Sequence, residues 1–427
     1  MVRLCGVSAL NGAGIVNSYR GRMATSRETR DAVVLTLRVR LIEARLPVVT
    51  LIVAALGLMS AYEALFLDPP YSIPVTDFGR DLLGARAAQL GVNPYQTIGA
   101  LASSMPDWTV RPEAEDLWVA HSPLSLALAR VWLSMVGPEL AEVTAKFVQG
   151  ISMLVLVTWI WFFGSRSWSR WHGLLIAAAT AMTLGFRADG FWLQGASLLA
   201  LGIVVVFWLE RSDRRNTALV LLGVLVAWRP WLAPIALVLP GSDSILKDGA
   251  RVALTATIVT GLVLPWTGGW VSLAAWMGDA LPANLGHYSV YAWNLSLTGP
   301  FLPATLASLL YLPTAGLVAS QRFRWPREKW PLLGTTAILA LSPLVWAQYW
   351  LALVAVLLRL AKAQSFQWTL LIILVMAWPL AEHSGMMSKV TSYLGVLLLV
   401  VSLSEESIPD GDEQTTRFKD SEVEYES

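Results

Sequence analysis

The chain is nearly devoid of cysteine and short of charge. One cysteine, Cys5, in 427 residues excludes a disulfide framework and any metal site built on paired thiolates. Charged residues make up 14% of the chain, against roughly a quarter in soluble globular proteins, which excludes a large solvated surface. No internal period points to a solenoid. No cleavable leader is expected, because the first apolar span lies deep in the chain and no small-residue cleavage site follows it. The net charge of +1 singles out no partner, and no nucleic-acid partner is expected.

What remains is apolar. Hydrophobic residues make up 55% of the chain, mean hydropathy is +0.56, and several runs approach the ~20 residues needed to cross a bilayer. The expectation is an all-α polytopic membrane protein of about 10–12 transmembrane helices. Its 21 tryptophans fall mostly near span ends, as interfacial anchors do. The first 45 residues carry eight arginines against Glu28, Asp31 and Glu43. By the positive-inside rule this end is expected in the cytoplasm, facing membrane lipids.

The chain parses into three regions: a basic segment 1–45, a membrane domain 46–404, and an acidic tail 405–427 expected to be disordered and cytoplasmic. The first span is expected over 46–67, with outer loops at 68–117 and 267–296. Residues 118–136, with His121, Pro123 and Arg130, read as a shallow or re-entrant segment before one crossing at 143–164. Two crossings there would put the basic cluster 210–215 outside. Residues 173–187 and 189–209 read as a pair turning at Arg187-Ala-Asp189. Arg229-Pro230 should break 217–240 into two arms.

This topology gathers Asp77, Asp81, His121, Arg187, Asp189, Arg229, His287, Asn294 and Gln348 on the outer side. Charges near membrane depth are costly unless they serve a cavity or a partner. Each also has a plainer reading. Asp77 opens the helical pattern 77–90 and so reads as its N-cap. Phe78, Leu82, Leu83 and Leu90 would form one face of an outer amphipathic helix, with Asp77, Arg80 and Asp81 on the other. Arg86 breaks that pattern. Asp81 reads as a solvated loop acid, Arg229 as a snorkelling arginine, and His121 and His287 as interfacial histidines. Gly91-Val-Asn-Pro94 is a helix stop.

An outer-loop acid followed by a helix ending Gly-Val-Asn-Pro-Tyr resembles the first outer loop of class C membrane glycosyltransferases. The nearest likeness is to the bacterial polyprenol-phosphate-mannose-dependent alpha-mannosyltransferases. His121-Ser-Pro-Leu124, Gln194-Gly195, Arg229-Pro230, Asn294-Leu-Ser-Leu297 and Ser342-Pro-Leu-Val-Trp346 resemble that family's motifs in order and spacing over roughly 46–404.

The resemblance implies a class C fold in a bacterial plasma membrane, with both termini cytoplasmic and the active site outside. It implies transfer of a sugar, mannose foremost, from a polyprenyl-phosphate-linked donor to a glycolipid or polysaccharide acceptor. No cofactor or metal is implied. Asp77 would be the general base, inverting the anomeric carbon, and Asp81 would hold the acceptor. Arg229, and secondarily Arg187, would neutralise the departing phosphate. His121, His287, Asn294, Trp346, Gln348 and Tyr349 would line the substrate site. One departure stands out: Gln348 and Tyr349 occupy the place where the family supplies histidine, and neither is a cation or a group that takes up and releases a proton near neutral pH. The rival readings are a transporter or lipid flippase, and a non-catalytic member of the same fold.

Overall fold

A computed structural model describes residues 76–105, 112–167, 170–182, 184–239 and 245–289, with scattered positions between 47 and 62 and between 306 and 342. The chain divides into Met1–Leu51 and Ile52–Ser427. Of the first unit only positions 47, 48, 50 and 51 are described, all helical. Every element from Asp77 onward belongs to the second unit.

The described residues are largely helical, and their one β feature is an isolated bridge between Thr97 and Trp118. This agrees with the expected all-α class. In chain order the helices are α1 (Asp77–Gln89), α2 (Ile98–Ser103), α3 (Pro123–Val136), α4 (Pro138–Ser167), α5 (Arg170–Ala181), α6 (Leu184–Trp192), α7 (Ala196–Arg211), α8 (Arg215–Trp228), α9 (Ile245–Val263), α10 (Gly269–Ala275) and α11 (Leu281–Ser289). Two stretches among the described residues are long and apolar enough to cross a membrane, Pro138–Phe162 and Leu246–Trp266. Only 28% and 11% of their apolar windows are buried, whereas a helix in the core of a soluble protein is covered on most sides. Along α4 the exposed residues Leu140, Val143, Phe147, Ile151, Leu154 and Phe162 recur at helical spacing and form one apolar stripe.

The segment 118–136 contains α3, whose 14 residues reach about 21 Å at 1.5 Å per residue. That falls short of a bilayer core of about 30 Å. Gly137, at φ +78, ends α3 and lets the chain start the long α4. The break at Arg229-Pro230 also forms. Helix α8 stops at Trp228, Arg229 is extended (φ −132, ψ 91), and a 3-10 turn runs over Pro230–Val238, because proline pushes its predecessor out of the helical region. The far end of α8 is tied by charge: Arg215 donates to Asp248 at 2.5 Å and stands 3.7 Å from Glu210.

Other expectations need correction. Arg187 and Asp189 do not turn the chain but lie inside α6. The reversal comes at 193–195, where Leu193 (φ 53) and Gly195 (φ 70) take left-handed conformations. The described part of the second outer loop is largely helical: α10 runs through a π turn, Trp276–Ala280, into α11. The described part of 68–117 is not a plain polar loop either. Leu83, Tyr95, Ile98, Leu101, Met105, Val119, Leu126 and Ala280 form a buried cluster, in which each fully buried large side chain contributes about 1.5–3 kcal/mol.

Helix α1 forms as expected, but it is not an amphipathic surface helix. Leu83 and Ala87 face that cluster, while Leu82 and Ala85 join a second one with Ala129, Leu133 and Ala141. With both sides covered, only Arg86 is exposed within the helix proper. Small residues make this possible: a Cβ on Gly84 would lie 2.8 Å from Val119. The helix stop works as its residues imply. Val92 N–H donates to Ala87 O at 2.9 Å and Gly91 N–H to Ala88 O at 3.3 Å, with Gly91 at φ 76, a pairing that satisfies the last carbonyls. Leu90, assigned to the apolar face, is exposed.

Candidate active site

The start of α1 determines what Asp77 is free to do. Thr76, not Asp77, is the N-cap: its hydroxyl accepts from Gly79 N–H at 2.9 Å. Threonine suits this position because its oxygen satisfies a first-turn donor that has no partner within the helix. Relieved of that task, the Asp77 carboxylate, 3% exposed, is held from the side. Arg80 forms an ion pair with it one turn on, the i, i+3 geometry that brings opposite charges together on a helix. Gln194 donates its side-chain amide to Asp77 Oδ2. Arg80 also reaches the carbonyl of Trp118 at 3.5 Å.

One turn further along α1, Asp81 meets His121. Both carboxylate oxygens lie 2.9 Å from Nδ1 of the ring. In neutral imidazole one nitrogen donates and the other accepts, so this contact puts the proton on Nδ1 and leaves Nε2 as the lone-pair atom. Burial holds the His121 pKa below the usual histidine range. Asp81 pulls it upward, while the nearby Arg229 and Arg80 charges push it down. His121 is therefore neutral at pH 7. Tyr95, buried against the same helix, has a hydroxyl with no hydrogen-bond partner among the described residues, and burial followed by the Asp81 charge raises its pKa well above the phenolic value.

Residues distant in sequence complete the constellation. Arg229, 8% exposed, donates to the carbonyl of Gln194 at 2.9 Å and to Ser125 Oγ at 3.4 Å, with its guanidinium 5.4 Å from the Trp228 ring centre. Ser122, the N-cap of α3, donates to the Trp228 carbonyl at 2.9 Å. Trp276 donates to Ala120 O at 2.9 Å and so ties the π turn to the segment that carries His121. The starts of α1 and α3, the turn 193–195 and the end of α8 thus bring an acid, a neutral histidine and a buried guanidinium together. A carboxylate can take a proton from a bound hydroxyl, and a guanidinium can hold a phosphate oxygen pair.

Asp77, Asp81, His121 and Arg229 are all joined in this network. Asp81 is not a solvated loop acid, and Arg229 does not snorkel to an interface. Asp189, grouped with them from the sequence, has another task. It is wholly buried and accepts from Ala196 N–H at 2.7 Å, Ser197 N–H at 2.7 Å, Ser197 Oγ at 2.6 Å and Gln149 Nε2 at 2.5 Å. That set caps the start of α7. Arg187 is half-buried on α6, and His287 is exposed in the last turn of α11. Asn294, Trp346, Gln348 and Tyr349 lie outside the described residues. Sequence reasoning missed Arg80, whose i, i+3 spacing from Asp77 was a usable signal. Gln194, which lies 117 residues from its partner, was singled out only as part of the Gln194-Gly195 likeness and was given no role at the site.

No protein-family model, curated protein or solved structure matches the chain.

Proposed function

We propose that the chain is a multi-pass membrane glycosyltransferase of the class C type. It moves a sugar, mannose foremost, from a polyprenyl-phosphate donor to a hydroxyl of a cell-envelope glycolipid or polysaccharide. The observation that carries this reading is the buried pairing of Asp77 and Arg229 through one residue, Gln194. Transfer from a phosphate donor needs both charges at once. The acceptor oxygen bonds to the anomeric carbon as its proton passes to Asp77. The bond from that carbon to the phosphate oxygen breaks, and its electron pair leaves with the lipid phosphate toward Arg229. Attack opposite the leaving group inverts the centre. Asp81 and His121 hold the acceptor from one turn along α1. His287, Asn294, Trp346, Gln348 and Tyr349 join the substrate site by the family likeness, with Arg187 in a lesser role.

The apolar stripe of α4 and the two long helices support a membrane setting suited to a lipid-linked donor. By charge distribution the proposed orientation places both termini in the cytoplasm and the site outside a bacterial plasma membrane. The test is transfer of labelled sugar from polyprenyl-phosphate donor in membranes holding the protein. Asp77→Asn keeps the side chain's size and, with Thr76 as the cap, leaves the helix start intact. Activity should drop about 100-fold or more. Full activity in this variant would reject Asp77 as the base.

A further inference from the structure

Gln194 touches both reactive ends of the site in different ways. Its side-chain amide donates to Asp77, and its backbone carbonyl accepts from Arg229 at 2.9 Å. A residue that binds the acid through its side chain and the cation through its main chain sets the separation between them.

The turn that carries it is built to stay put. Leu193 sits at φ 53, a conformation sparsely populated for leucine, and its N–H donates to Asp189 O at 3.0 Å. Asp189 then caps α7 on the other side of the turn with both carboxylate oxygens. Gly195, at φ 70, lies where a Cβ would meet the Trp228 ring at 2.9 Å. Any other residue there would be strained in backbone and crowded by the ring.

We propose that Gln194 is a positioning residue for sugar transfer. Held by the Asp189 turn, it fixes which lone pairs of Asp77 face the acceptor hydroxyl and how far that carboxylate stands from Arg229. This role rests on the glycosyl-transfer reading of the site. Oδ1 of Asp77 is taken by Arg80 and Oδ2 by Gln194, so among the described residues each oxygen keeps one lone-pair direction open. Among the described residues, the charged and titratable groups of this site are Arg80 and Asp81 on α1, His121 before α3 and Arg229 after α8. On α4, Glu142 accepts from the Thr76 hydroxyl at 3.4 Å. Among them Gln194 is a neutral donor that orients the carboxylate without adding charge.

Gln194→Glu is nearly isosteric and sets a second carboxylate against Asp77. Two acids sharing a site retain a proton to higher pH. The experiment measures transfer by the full-length protein in membranes on both sides of neutrality, for wild type, Gln194→Glu and Gln194→Met. The acid limb of kcat/KM should move up by about one pH unit or more in Gln194→Glu. Gln194→Met should lose about 10–100-fold in kcat with an unchanged donor KM, because the main-chain bond to Arg229 survives. An unmoved acid limb in Gln194→Glu, or an undiminished kcat in Gln194→Met, overturns the inference while Asp77→Asn still reports on the reaction. If Gln194→Glu does not accumulate as folded protein, the kcat and KM of Gln194→Met decide alone. Absence of transfer by wild type overturns the reading and this inference together.

Discussion

Asp77 and Asp189 are both buried aspartates beside a helix start, and they are held in different ways. Asp189 is crowded with donors: two backbone N–H groups, a hydroxyl and an amide converge on it at 2.5–2.7 Å, three of them on Oδ2. It builds the turn and caps α7. Asp77 has its capping duty taken by Thr76 and, among the described residues, is held by two side chains. Burial alone does not tell the two acids apart; the number of donors on the carboxylate does, and under the proposed function the less encumbered one receives the proton.

The contrast can be broken most forcefully at Asp189. Asp189→Ala leaves two N–H groups, Ser197 and Gln149 without their acceptor in the interior. It should cost about 3–5 kcal/mol, read as a large fall in the unfolding midpoint in detergent. A midpoint within a degree of wild type would mean that Asp189 is not the structural member of the pair.

A smaller effect sharpens the other side. Thr76→Ala should destabilise by about 1 kcal/mol, read as a small fall in the unfolding midpoint. An unmoved midpoint would return the capping role to Asp77.

The neighbouring Asp81–His121 pair predicts a pH dependence with a definite sign. Folding holds the His121 pKa below its ordinary value of 6.5, so the unfolded chain takes up the proton first as pH falls. The contribution of His121 is complete above about 6.5, erodes below it, and is lost as pH passes the folded value. His121→Gln should flatten the fall in the unfolding midpoint through that window. An equally steep fall in the variant would mean that another group titrates there.

The smallest effect concerns Tyr95, whose buried hydroxyl has no partner among the described residues. Tyr95→Phe keeps the ring and its packing near Trp276, 6.5 Å between ring centres, and removes an unsatisfied group. It should stabilise by about 1 kcal/mol. A loss of stability would show that the hydroxyl is satisfied in solution.

The expectations that held rest on local chemistry. The α1 stop at Gly91 came from glycine's access to positive φ, and the break at Arg229 from the proline behind it. The failures lie where distant residues decide. Asp77 read as a cap because an acid at a helix start usually is one, and Thr76 was passed over as its neighbour. Helix α1 read as amphipathic because neither apolar cluster that covers it can be inferred from its own residues. The turn was put at Arg187-Ala-Asp189 because charges usually mark surface loops, whereas Asp189 is buried by donors from the next helix and from α4.

By itself the sequence determined the helical class, the apolar character and most of the chain breaks, since helix propensity, hydropathy and proline act within a few residues. Only the tertiary structure decided how each polar group is held. A carboxylate's role depends on how many donors reach it. For Asp77 and Asp189 the deciding donors include Gln194 and Gln149, brought in across 117 and 40 residues.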